Sequence, residues 1–236
     1  MRIAAAGGTL RGVETHTRQG IQGKSNRNRE SVVSLVKNRF TELLREANTI
    51  GPGDLNCWAF CPGMRFGSTE KWWGDHGQRD FPHEGIDLCL YEDSNGQLLR
   101  LDAKTRIPVI SDGVIRAIFK DYLGQAVIVE HEDAESRSGK YLSVYAHTRP
   151  IDGLRLGATV RAGDIIASIA DTRHSRAKIL PHLHLSIGRP SPDLAYENFV
   201  WNILRDPGRV TLLNPMDAID GPWRTFDTED MDCAGL

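Results

Sequence analysis

Three short stretches of the chain carry residues whose types and spacing suit metal chemistry. The first is Pro82-His83-Glu84-Gly85-Ile86-Asp87, the second ends in Tyr145-Ala146-His147, and the third reads Pro181-His182-Leu183-His184. His83 and Asp87 would be neighbours on a helix but about 13 Å apart on a straight strand. Pro82 and the β-type residues after Gly85 argue against a helix. Gly85 lets the backbone bend, so a turn feeding a strand would bring a His83 nitrogen and an Asp87 oxygen to one metal. His182 and His184 share one face of a strand, with Cα atoms roughly 6.6 Å apart. Both imidazoles can bind one ion, or one binds while the other contacts its water, and the spacing leaves both open. A lone strand histidine is more often a hydrogen-bonded sheet residue than a ligand. The co-occurrence of the three stretches is what points to a site. Two imidazoles and one carboxylate leave a fourth position open, as in catalytic rather than structural zinc sites. Harder cations want more oxygen ligands.

Strands must position these residues. Ile86–Tyr91, Leu98–Leu101, Pro108–Phe119, Gln125–His131, Tyr141–His147, Asp164–Ala170 and Leu183–Gly188 are short β-branched-rich runs bounded by turn residues. Within Tyr141–His147, alternation places Leu142, Val144 and Ala146 on one face and Tyr141, Ser143, Tyr145 and His147 on the other. Within His182–Ile187, the leucines and Ile187 oppose His182, His184 and Ser186. The pattern predicts a mainly β fold whose sheet has one packed side and one polar groove. Ser31–Ala47 carries apolar residues at helical spacing, and Gly51-Pro52-Gly53 ends that helix. Residues 54–82, with Trp58, Phe60, Trp72 and Trp73, read as an irregular packed region. Asp193–Leu204 reads as a second helix.

The chain has 236 residues and a net charge of −2, which argues against a dedicated nucleic-acid binder. Residues 1–46 hold nine Lys/Arg against four Asp/Glu, and residues 226–236 hold four acids and no base. Both read as solvated segments. No run is long and apolar enough to span a membrane, and no secretory signal is visible near Met1. Cys57, Cys61, Cys89 and Cys233 lack the spacing of a zinc finger or disulfide scaffold and read as buried or free thiols. The expected organisation is a flexible basic arm over 1–30, a helix and packing region over 31–81, a main β domain over 82–220 and an acidic tail over 221–236.

His83-x-Gly85-x-Asp87, Tyr145-Ala146-His147 and His182-x-His184, in that order, resemble the M23 (lysostaphin/LytM-like) zinc metallopeptidases. The intervening Asp112-Gly113-Val114, Val127–His131 and Gly157-x-x-Val160-x-x-Gly163 are similar too, as is Asn214-Pro215. The resemblance covers Pro82–Ile219 and implies an M23-like antiparallel β core with peripheral helices. It implies one zinc ion held by His83, Asp87 and His184. It implies His147 and His182 as catalytic histidines, His182 as base and His147 as stabiliser of the oxyanion or leaving amine, with the two roles exchangeable. The implied substrate is a peptide bond in bacterial peptidoglycan cross-links or stem peptides, and the implied location is the cell envelope or outside the cell.

Some features depart from that pattern. The stretch Asp171–Leu180 before His182 is basic where the family has a Gly/Ser/Thr-rich loop, which favours anionic substrate groups. Ser186 stands where an acid is common. Glu92–Leu101 and Arg189–Val210 read as insertions able to reshape the groove. His76 and His174 read as surface or supporting residues. Trp72 and Trp73 either line the cleft or pack the N-terminal region. Two other functions compete with a wall endopeptidase: a non-catalytic wall-binding or regulatory module, and a zinc peptidase acting on a protein. The complete five-residue set favours an enzyme.

Overall fold

A computed structural model describes residues 39–226, apart from 52, 134–138, 173–174 and 176–178. Its strands are β1 (Cys57–Phe60), β2 (Ile86–Leu88), β3 (Leu90–Glu92), β4 (Leu98–Arg100), β5 (Arg106–Pro108), β6 (Gly113–Lys120) and β7 (Gln125–Glu132). These are followed by β8 (Lys140–Pro150), β9 (Thr159–Val160), β10 (Ile165–Ile169), β11 (Leu183–Pro190), β12 (Val210–Leu213) and β13 (Trp223–Thr225). Two helices, α1 (Phe40–Asn48) and α2 (Trp201–Leu204), complete the elements used below.

The larger sheet runs β12-β11-β8-β7-β6-β9, and all its pairs are antiparallel. Beyond β12, the start of β11 pairs with β2, which sets Asp87 directly opposite His184. The end of β8 leaves β7 and pairs with β10. A smaller sheet, β13-β1-β3-β4, joins its outer strand β13 in parallel to β1. Each β run expected from sequence contains a strand, but Ile86–Tyr91 is split at Cys89 into β2 and β3 of different sheets, Pro108–Phe119 holds the end of β5 and most of β6, and β1, β9, β12 and β13 are additional. The fold is mainly β.

The central sheet is packed on both faces, which corrects the expectation of one polar groove face. On one side Leu183, Leu185 and Ile187 join Tyr145, Val127 and Val129, and α1 adds Phe40 and Leu44. On the other, Leu142, Val144 and Ala146 are covered by Phe199 and Leu204 from the segment after β11. Each large side chain buried this way contributes about 1.5–3 kcal/mol. The polar residues gather at the β2 end of β11 instead of along a whole face.

Both helices are shorter than their sequence patterns. The helix expected over Ser31–Ala47 is observed as Phe40–Asn48, and residues 31–38 lie outside the described ones. It ends because Thr49 turns left-handed, the N–H groups of Thr49 and Ile50 closing on the Arg45 carbonyl, and the Asn48 side chain ties this end to β5 by bonding both backbone groups of Arg106. Asp220 accepts from the Thr41 N–H at 2.7 Å and ties the start of α1 to the end of the domain. The helix expected over Asp193–Leu204 contains only Trp201–Leu204. Asn198 is left-handed and Val200 extended, which stops propagation, and burial of Phe199 on the sheet overrides helix propensity. Cys57, Cys61 and Cys89 form no disulfide. No helix among the described residues is long and apolar enough to cross a membrane.

Candidate metal centre

The His83 side chain immediately precedes a bend at Glu84–Gly85 and the Asp87 side chain follows it on β2, as a turn feeding a strand requires. The reason for Gly85 differs from the one expected. Its φ is ordinary, but a Cβ there would stand 2.2 Å from the Leu185 carbonyl oxygen. Glycine is needed so that the bend can approach β11.

His83 Nε2, Asp87 Oδ1 and His184 Nδ1 form a nearly equilateral triangle with sides of 3.1, 3.0 and 3.0 Å. A tetrahedral ion bound at about 2.0–2.1 Å spaces its ligand atoms about 3.3 Å apart, so the triangle matches one face of such a site. All three residues are buried. Their remaining atoms are held by the protein. His83 Nδ1 donates to the Arg65 carbonyl at 3.1 Å. His184 Nε2 meets the Ser186 hydroxyl at 2.8 Å, which is what that departure from the family pattern does. Asp87 Oδ2 accepts from the Trp72 indole at 2.7 Å. Such partners fix tautomer and orientation at metal sites. Burial opposes ionisation of Asp87, but the imidazoles of His83 and His182 and hydrogen bonds from His184 and His83 outweigh it. The carboxyl is held well below its ordinary value.

His182 and His147 stand beside this triangle. The His182 and His147 rings are 4.9 Å apart, and His147 lies 5.6 Å from His184. His182 Nδ1 donates to the Leu180 carbonyl at 2.7 Å, leaving Nε2 as an acceptor 3.8 Å from Asp87 Oδ1. Burial pushes this imidazole down to about 4.

The placement of His147 runs against simple alternation. Ala146 is the partner of His184 across β8 and β11, so a regular strand would turn His147 to the opposite face. The register with β7 shifts between Gln125 and Val127, so Ala146 and His147 together face Ala126. At this bulge His147 adopts φ 60° and its ring swings to the side of His184.

Asp121, on the turn between β6 and β7, holds that arrangement. One carboxylate oxygen accepts the His147 backbone N–H at 2.7 Å and its Nδ1–H at 3.2 Å. The other accepts the backbone N–H groups of Leu123 and Gly124 at 2.9 and 2.5 Å. Burial works against ionisation of Asp121, but the bonds and charge of His147 prevail and keep the carboxyl below its ordinary value. Nothing in the spacing of Asp121-Tyr122-Leu123-Gly124 marks this residue as more than a turn former.

A cavity of about 220 Å³ opens onto these groups, lined by Trp73, Tyr122, Ile179, Trp201 and Arg205 above His147, His182 and His184. The insertion after β11 therefore contributes to the cleft, through Trp201 and Arg205. Trp73 lines the cavity, whereas Trp72 is buried against the His182 ring at 5.1 Å. His76 is exposed and outside the cavity, and His174 lies outside the described residues. Trp201 and Arg205 lie in the insertion expected to reshape the groove, but neither they nor Glu84 stood out individually, because the order of motifs says nothing about which side chains of a loop fold over them.

The family model for peptidase family M23 matches residues 92–194, a span that contains His147, His182 and His184 and starts after His83 and Asp87. No curated protein matches the chain. Among solved structures, lysostaphin is similar, with 20% identity and a TM-score of 0.38 over 70% of this chain and 53% of that one. A putative glycyl-glycine endopeptidase LytM from Ruminococcus gnavus has 16% identity and a TM-score of 0.34 over 53% of this chain and 46% of that one. The catalytic domain of the prophage-encoded M23 protein EnpA from Enterococcus faecalis, solved as a point mutant, has 19% identity and a TM-score of 0.35. That match covers 63% of this chain and 98% of the other. The chain thus spans about half the length of the first two.

Proposed function

We propose, for a chain whose residues 92–194 belong to peptidase family M23, the activity of a zinc metalloendopeptidase that cuts peptide bonds in peptidoglycan cross-links or stem peptides. The observation that carries this reading is the 3.0–3.1 Å triangle of His83 Nε2, Asp87 Oδ1 and His184 Nδ1, with two further histidines at its side. The donor set of two nitrogens and one carboxylate oxygen, each backed by a protein partner, suits zinc. What the ion supplies when bound is Lewis acidity, which lowers the pKa of a water molecule toward neutrality.

The chain's own groups then divide the proton work. His182, neutral with its Nε2 lone pair facing the site, accepts the proton of the attacking water. His147, whose ring is 4.9 Å from that of His182, takes this proton from it at Nε2 and donates it to the leaving amine, which restores both histidines to their neutral form. The Asp121 carboxylate keeps Nδ1–H pointed away from the cleft and stabilises the imidazolium as it forms. Trp73, Trp201 and Tyr122 give the cleft walls suited to peptide.

The deciding experiment incubates the full chain with isolated peptidoglycan, with and without a chelator, and reads released fragments by mass spectrometry. New amine termini that vanish with chelator are expected. Fragments that persist after complete zinc removal would defeat the reading. Asp87→Ala is expected to bind less than a tenth of an equivalent of zinc by elemental analysis, where the parent binds about one.

A further inference from the structure

The cleft has a charged wall that the proton chemistry does not use. Arg205, immediately after α2, lines the same cavity as His147, His182 and His184. Its Nε donates to Glu84 Oε1. Its guanidinium carbon lies 4.8 Å from the Phe81 ring centre and 6.0 Å from that of Trp201. Trp201 in turn is 5.3 Å from the His184 ring, so Arg205 stands one aromatic ring away from the candidate metal centre. A guanidinium offers five N–H donors in a flat fork, and the side chain keeps 32% of its surface exposed. Deeper in the cavity Arg79 adds a second positive charge, 3.6 Å from Asp87 Oδ2.

Resting on the peptidase reading, we propose that the Nη donors of Arg205 bind a carboxylate of the substrate, so that the cleft selects peptides carrying a free carboxylate close to the bond that is cut. The fork of arginine matches a carboxylate with two parallel hydrogen bonds. Glu84 on one side and the rings of Phe81 and Trp201 on the other hold the guanidinium in place before substrate arrives, which lowers the ordering cost of binding. The carboxylate comes either from a peptide C-terminus or from an acidic residue within the peptide.

The test uses a soluble cross-linked stem-peptide dimer in three forms: all carboxylates free, C-termini amidated, or internal acidic residues amidated. Hydrolysis is measured with the zinc-loaded full chain. Binding is measured by calorimetry with the chelated full chain, so that the ion itself cannot supply the carboxylate contact. One of the two amidations is expected to lower both kcat/KM and affinity at least tenfold, and it identifies which carboxylate is held. In Arg205→Met the ratio between free and amidated forms should fall to within twofold of unity. Because that change leaves Glu84 without its cation, the E84Q/R205M double variant is measured beside it and should lose the ratio equally. Equal values for all three forms, or a ratio that survives both variants, overturns the proposal and leaves the peptidase reading standing. If the zinc-loaded chain cuts no form, the peptidase reading fails, and the binding ratio alone decides the role of Arg205.

Discussion

Asp121 makes the sharpest prediction at the scale of single residues. Its carboxylate fixes both the backbone and the ring of His147. Asp121→Asn replaces an acceptor with an amide that can offer N–H to the ring and so favour the wrong tautomer. A loss of roughly 10²–10⁴-fold in kcat is expected, with KM and zinc content unchanged. A parallel loss of bound zinc would show that Asp121 supports the metal centre instead. The five histidine and aspartate positions that the structure brings together stood out in the sequence because metal and proton chemistry need few residue types and their order resembles that of the M23 peptidases. Asp121 and Arg205 did not. Each acts through a contact between segments far apart in the chain, and neither spacing nor periodicity encodes such a contact.

Among the elements, the approach of the bend before β2 to β11 governs the site. The sequence marked Gly85 as a place to bend, but its role is to leave room for the Leu185 carbonyl. A backbone oxygen in a sheet cannot step aside. Gly85→Ala should therefore cost about 1–3 kcal/mol of stability. It should also weaken zinc binding at least tenfold, read by thermal melting and by zinc titration. Unchanged zinc affinity would separate the bend from the site. Strand positions were readable from alternation, whereas the bulge at His147 was not, since it arises from pairing with β7 rather than from the sequence of β8 alone. The second helix failed for a related reason. Its apolar residues have helical spacing, but Phe199 is captured by the sheet, and the backbone follows it.

Across the whole molecule, acid should loosen the fold through a group outside the cleft. His131 is buried between the Asp112 carbonyl at 2.9 Å and the Ser143 hydroxyl at 2.7 Å, and burial pushes its imidazole from 6.5 down to about 4. Between those values the unfolded chain binds more protons than the folded one. The stability from a neutral His131 is thus complete above pH 6.5 and is lost as pH falls toward 4. From about pH 7 to about pH 4.5 the loss is about 2 kcal/mol. Urea unfolding of His131→Gln should show a correspondingly smaller change between those two pH values than the parent chain. An identical change in both proteins would remove His131 as the source. The aromatic surroundings of the site have an optical consequence as well. Of the five tryptophans, Trp72 donates its indole N–H to Asp87 and Trp201 meets the His184 ring edge-on. Two fluorophores are therefore wired to the groups that would hold the ion, and the protein's own emission should report filling and emptying of the centre without any added dye.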